Sequence, residues 1–103
     1  MTCGQPVSEV VVINPFDLSD VPSDAAVAAW DKLAEYFSRQ PGYLSAQLHQ
    51  ALDGSARFQL VTVARWESVD AFHAALGNPE LAQIAEDVPE MQSFPGVYQV
   101  IRG

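Results

Sequence analysis

Residues 57–72 read RFQLVTVARWESVDAF, and a change of period inside that stretch decides the fold. From Arg57 to Trp66 the side chains alternate. Phe58, Leu60, Thr62, Ala64 and Trp66 point one way, and Gln59, Val61, Val63 and Arg65 the other, the two-residue period of a strand. Ser68 then offers an N-cap oxygen, and Ala71, Phe72, Ala75 and Leu76 recur at helical spacing. A strand therefore feeds directly into a helix.

Towards the N-terminus, Asp53-Gly54-Ser55 is a turn signal that joins this strand to an earlier one, Tyr43 to Leu52. Alternation there places Leu44, Ala46, Leu48 and Leu52 on one face and Ser45, Gln47, His49 and Ala51 on the other. Pro41-Gly42 stops a preceding helix that begins near Ala25, with Ser23 or Asp24 as its N-cap. Its apolar stripe is Ala26, Trp30, Leu33 and Phe37, with Ala29, Ala34 and Tyr36 beside it, and Asp31, Lys32 and Glu35 opposite. Val7 to Phe16 reads as the first strand. The consecutive β-branched residues Val10, Val11, Val12 and Ile13 call for cover on both faces, and Pro15 marks a bend, an end or an edge.

Towards the C-terminus, Asn78-Pro79 breaks the second helix, and Pro79 can open a short third one carrying Leu81, Ile84 and Ala85. Pro89 and Pro95-Gly96 frame an irregular segment around Met91 and Phe94, and Val97 to Ile101 is the last strand. Residues 1–6 read as a frayed end.

The order β, α, β, β, α, β predicts one α+β domain of the ferredoxin-like kind over residues 1–103. It has a four-stranded antiparallel sheet with the helices on one face. The other face carries Val11, Ile13, Val61, Val63 and Val100, too apolar to be left in water. The expected solution is a homodimer that closes two sheets into an α/β barrel.

Composition narrows the function. Thirteen acidic and five basic residues leave a net charge of −8, which disfavours nucleic acid and anionic membranes as partners. The single cysteine, Cys3, excludes an intrachain disulfide, and two histidines with one cysteine cannot build a zinc site alone. No apolar run approaches a membrane span and no leader is evident, so a soluble cytoplasmic protein is expected. No phosphate-binding loop or nucleophilic triad spacing is present.

Pro41-Gly42-Tyr43-Leu44, then Leu48-His49, then Arg65-Trp66-Glu67-Ser68-Val69-Asp70-Ala71-Phe72 resemble the antibiotic biosynthesis monooxygenase family. The resemblance runs from about Val10 to the last strand. It implies the dimeric barrel and a cavity between sheet and helices in each subunit. Members include cofactor-independent oxygenases of aromatic polyketides, heme-degrading enzymes, signal-processing isomerases and proteins without known activity. The heme-degrading plan is similar at Asn14, but its second-helix Trp and its heme-ligating His fall near Ala75 and Ala85. The anthrone- and quinone-forming oxygenases look closer. Their third-strand Trp corresponds to Trp66, an Asn four residues earlier to Thr62, and a helix aromatic to Phe72, where some relatives carry Tyr.

These readings nominate Asn14, Trp66 and His73 for catalysis, and Phe16, Trp30, Phe37, Thr62, Phe72 and Leu76 for binding a flat aromatic or polyketide-like molecule, with no cofactor and no metal. Asn14 interrupts an apolar strand, and a buried amide needs a partner or a ligand. As a structural residue it would bond the Asp17 turn instead. Trp66 is either core or a ring platform with one N–H donor. Thr62 is a hydroxyl in an apolar strand and equally an ordinary strand residue. Trp30, Phe37, Phe72 and Leu76 suit either a packed core or an apolar pocket wall. His73 and His49 are the near-neutral titrators; His49 shares the dimer-side face with Gln47. The expected activity is a cofactor-independent monooxygenation. A non-catalytic binder or structural dimer, and a polyketide isomerase or cyclase, are the alternatives.

Overall fold

The run Val10-Val11-Val12-Ile13 forms the middle of the sheet. In the computed structural model, which describes residues 9–18 and 20–103, it opens strand β1 (Val10–Asp17). The chain continues through α1 (Ser23–Ser38), β2 (Tyr43–Gln50), β3 (Leu60–Trp66), α2 (Val69–Leu76), α3 (Pro79–Ala85), β4 (Gln92–Ser93) and β5 (Gly96–Tyr98). The sheet order is β2-β3-β1-β4, with β5 also paired to β1, and every pairing is antiparallel. This is an open α+β sheet of the ferredoxin-like type. β1 has neighbours on both sides; Val10 and Val12 are buried on the helix side, while Val11 and Ile13 on the other face stay partly exposed. Val7 and Ser8, included in the predicted first strand, lie outside the described residues, as do residues 1–6.

Pro15 neither ends the strand nor lies at an edge. β1 runs on to Asp17 and pairs with β3 from Val10 to Phe16, Pro15 opposite Val61. The last strand breaks instead: β5 pairs with Val11–Ile13, β4 with Phe16 and Asp17. Pro15 lies opposite the gap and has no N–H to offer there, while its carbonyl accepts from Phe94 N at 3.1 Å. The predicted strand Val97–Ile101 is accordingly shortened to Gly96–Tyr98, and Val100 and Ile101 are exposed.

Three further boundaries are corrected. The N-cap of α1 is Pro22, with extended backbone and no side-chain cap, so Ser23 is already helical. Asp24 accepts only from the adjacent Ala25 N–H. β3 begins at Leu60 rather than Arg57, and Leu52 sits fully exposed in the hairpin loop instead of on a strand face. Leu44 is exposed as well, because the β2–β3 register shifts between Tyr43 and Ser45. An irregularity of one residue exchanges the faces beyond it. Tyr43, not Leu44, therefore joins Ala46 on the helix side, where both pack against the core.

The core lies between the sheet and the helices. Val10, Val12, Ala64, Trp66, Phe72 and Ala75 form its buried cluster, with Phe37, Tyr43 and Ala46 packed on it. Ser68 caps α2 as expected, accepting from Ala71 N at 3.0 Å, and Asn78 caps α3 through Glu80 N at 2.9 Å. The wholly buried Tyr36 ties α1 to α2, its hydroxyl donating to Ala75 O at 2.5 Å. Gly42 has φ +89°, and a Cβ there would overlap the Cβ of Ala71. Only glycine fits both demands. No helix among the described residues is long and apolar enough to cross a membrane.

Candidate functional site

The residues that alternation puts on the helix side of β1 and β3 do not fill the space above them. Val12, Asn14 and Phe16 from β1, with Thr62, Ala64 and Trp66 from β3, floor a cavity of about 310 Å³. Trp30, Leu33 and Phe37 of α1 form one wall; Phe72 and Leu76 of α2, with Leu81 and Ala85 of α3, form the other. A cavity of this size, apolar with a few polar groups, has the usual character of a small-ligand site.

Eight of the nine nominated side chains meet there: Asn14, Phe16, Trp30, Phe37, Thr62, Trp66, Phe72 and Leu76 all line it. Leu76 is half exposed, at 45%. His73 does not line the cavity. It is exposed on α2, its ring tilted against that of Phe72 at 6.0 Å between ring centres. One residue along a helix is a turn of about 100°, so its neighbour Phe72 faces in while His73 faces out. His49 is exposed, with Nδ1 3.3 Å from Val61 O.

The polar atoms are set by bonds whose direction is unambiguous. Asn14 and Thr62 are register partners across β1 and β3. Asn14 Oδ1 accepts from the backbone N–H of Phe94 at 3.1 Å, a donor it shares with Pro15 O. A backbone N–H can only donate, so the amide oxygen is turned to Phe94 and the NH₂ is left for another acceptor. This partner comes from the break between β4 and β5, not from the Asp17 turn. Trp30 Nε1 donates to Thr62 Oγ1 at 2.8 Å. The indole likewise can only donate, so the Thr62 hydroxyl keeps its own proton to give. Asn14 and Thr62 thus present donors on one patch of the floor.

Trp66 is 2% exposed and stands at the other end of the floor. Phe37, Tyr43 and Phe72 surround it at 6.0, 5.6 and 5.6 Å between ring centres, the first two edge to face. Its Nε1 has no acceptor among the described residues. The lining holds no Asp, Glu, His, Lys or Arg. The nearby Tyr36 phenol is outside it; burial first and Glu80 second push its pKa above the ordinary tyrosine value, with Arg39 opposing. It therefore stays a neutral donor to Ala75.

Reading the sequence missed Tyr43, Leu33, Leu81, Ser93 and Pro95 in this lining. Leu33 and Leu81 were on recognised helix stripes and needed only the cavity to be assumed. Tyr43 was hidden by the register shift, and Ser93 and Pro95 by the broken last strand. Where the heme-degrading plan requires its histidine, Ala85 lines the wall, and no His, Cys or Met is present to hold iron. No cluster of His, Cys, Asp and Glu able to hold a metal occurs among the described residues.

This architecture recurs in solved structures. A provisionally assigned monooxygenase from Shewanella loihica PV-4 is 35% identical, with a TM-score of 0.79 over 93% of this chain and 97% of that one. SnoaB, a cofactor-independent oxygenase from Streptomyces nogalater, is 25% identical, with a TM-score of 0.74 over 93% and 96%. The heme-degrader MhuD from Mycobacterium tuberculosis, with two hemes bound in its active site, is 26% identical, with a TM-score of 0.63 over 91% and 97%. No curated protein matches the chain. The family model for antibiotic biosynthesis monooxygenase matches residues 10–87, from the first residue of β1 to just beyond α3, and the chain belongs to that family.

Proposed function

We propose that the chain is a small cofactor-independent monooxygenase that oxidises an aromatic or polyketide-type substrate inside this cavity, working as a cytoplasmic homodimer. The observation that carries the reading is the donor patch of Asn14 and Thr62 in a predominantly apolar cavity. A flat phenol or enol fits the apolar walls, and its oxygen is the acceptor that the two donors lack. Donors fixed before the substrate arrives favour the enolate or phenolate over its neutral form, because charge developing there meets dipoles already in place. The electron-rich anion then reduces dioxygen. For an anthrone, the ring CH₂ becomes a carbonyl and the second oxygen atom leaves as water, so electrons balance without an external reductant. Trp66 provides a ring platform and one N–H at the far end.

His73 has no place in this reading. With no carboxylate, imidazole or amine in the lining, the substrate proton passes to solvent. The same absence weighs against an isomerase or cyclase, whose proton transfers call for a positioned base. The roomy cavity weighs against a purely structural dimer. The homodimer itself is supported by the outer sheet face, where Val11, Ile13, Val61 and Val63 stay partly exposed in a single chain. Joining two such faces buries them and closes the open sheets into a barrel.

The test is oxygen consumption with anthrone or a hydroquinone. Turnover that falls about 10²- to 10³-fold in Asn14→Ala supports the oxyanion role. Turnover unchanged in both Asn14→Ala and Trp66→Phe contradicts the assigned roles.

A further inference from the structure

Resting on the cavity reading above, we propose that Tyr43 is a specificity-determining residue. With Trp66 it forms a second polar pole that binds an oxygen substituent on the far end of an elongated fused-ring ligand.

Three local features force Tyr43 into position. Gly42 turns with positive φ hard against Ala71, and its carbonyl accepts from Glu67 N at 2.8 Å. Tyr43 N donates to Gln40 O at 3.2 Å, holding the chain as it leaves α1. The register shift between Tyr43 and Ser45 then turns the ring to the helix side, where strict alternation would have sent it outward. The phenol pairs across the strands with Trp66, meets it edge to face at 5.6 Å, and lines the cavity.

A phenol on an apolar wall normally finds a partner for its hydroxyl. Among the described residues Tyr43 Oη has none, and neither has the almost fully buried Trp66 Nε1. Two donors of one cavity end are therefore left for a ligand. Counting along β3, Trp66 lies four residues from Thr62, roughly 13 Å at about 3.3 Å per residue. Between them the floor is Val12 and Ala64, with no polar side chain. The cavity thus has polar ends and an apolar middle. A single-ring phenol meets one end only, whereas a linear fused system with oxygens at both ends meets both. No cation lines either pole, so the matching substituents are hydroxyl or carbonyl rather than carboxylate.

The experiment is a two-ligand, two-protein binding cycle followed by quenching of tryptophan fluorescence. The ligands are 9,10-anthraquinone, whose long-axis ends are bare, and 2,6-dihydroxyanthraquinone, which carries an oxygen at each end. Tyr43→Phe keeps the ring and its contact with Trp66, so folding is preserved and only the hydroxyl is lost. The expected result is that the dihydroxy compound binds about 3- to 10-fold more weakly to Tyr43→Phe, the effect of one neutral hydrogen bond, while anthraquinone binds both proteins alike. Equal binding of the dihydroxy compound to both proteins overturns the role of Tyr43 alone. Failure of both ligands to bind the unsubstituted protein overturns the aromatic-ligand reading of the cavity, and the Tyr43 role with it.

Discussion

Asn14 and Thr62 face each other across β1 and β3, and each has its oxygen engaged by a donor that cannot reverse. Phe94 N–H fixes the amide, and Trp30 Nε1 fixes the hydroxyl. Both oxygens are thereby occupied, which leaves the Asn14 NH₂ and the Thr62 hydroxyl proton as the groups free to donate. Asn14→Ala removes the amide and is expected to lower kcat about 10²- to 10³-fold. Thr62→Val removes one weaker donor and leaves Trp30 Nε1 unpaired, so a smaller kcat loss comes with about 1–2 kcal/mol of lost stability. Steady-state oxygen uptake and urea unfolding separate the two effects. Equal kcat in Thr62→Val and the parent protein rules out Thr62 as a donor to substrate.

Gly42 is the hinge on which the Tyr43 position depends. Gly42→Ala combines a side chain at positive φ with an overlap on Ala71. The expected cost is about 2–4 kcal/mol, backbone strain and overpacking together. A urea midpoint within error of the parent shows that the local packing around α2 is looser than described.

Tyr36 makes stability depend on alkaline pH. Its folded-state pKa is raised by burial and Glu80. The unfolded chain therefore loses this proton first, near pH 10. The Tyr36 contribution is fully present below about pH 10 and is lost as pH climbs from there through the raised folded value. Tyr36→Phe gives up the bond to Ala75 O, costing about 1 kcal/mol at neutral pH, and removes that alkaline step. Chemical unfolding of both proteins across pH 8–11 checks it; parallel curves contradict the assignment.

The homodimer reading places Val63 and Ile13, register partners on the outer face, at the centre of the interface. Val63→Asp puts a charge where two sheets would meet, at a penalty of several kcal/mol for an unpaired buried ion. Sedimentation equilibrium should show the parent protein as a dimer and the variant as a monomer. A parent protein that sediments as a monomer contradicts the barrel.

Much of this was legible in the residues. Alternation through Thr62, Ala64 and Trp66 names the cavity floor, because a strand with period 2 has only two faces to choose between. Helical spacing named Trp30, Phe37 and Phe72 for the same reason. Tyr43 was not legible, since a one-residue register shift leaves no signature in the alternation it interrupts, and Leu44 looked the better inward residue. The Phe94 partner of Asn14 was equally hidden. It is 80 positions away, and the break that brings it close is set by Pro15 lying opposite. His73 shows the converse. Residue type and adjacency to Phe72 point His73 at the site, but a helix turns adjacent side chains apart.

The central claim is tested most directly by oxygen consumption with an anthrone, comparing the parent protein with Asn14→Ala in the same assay. Oxygen-dependent conversion to the quinone is expected without added metal, flavin or heme, with a loss of about 10²-fold or more in the variant. No consumption above the uncatalysed rate across anthrone and hydroquinone substrates, or undiminished turnover in Asn14→Ala, contradicts it.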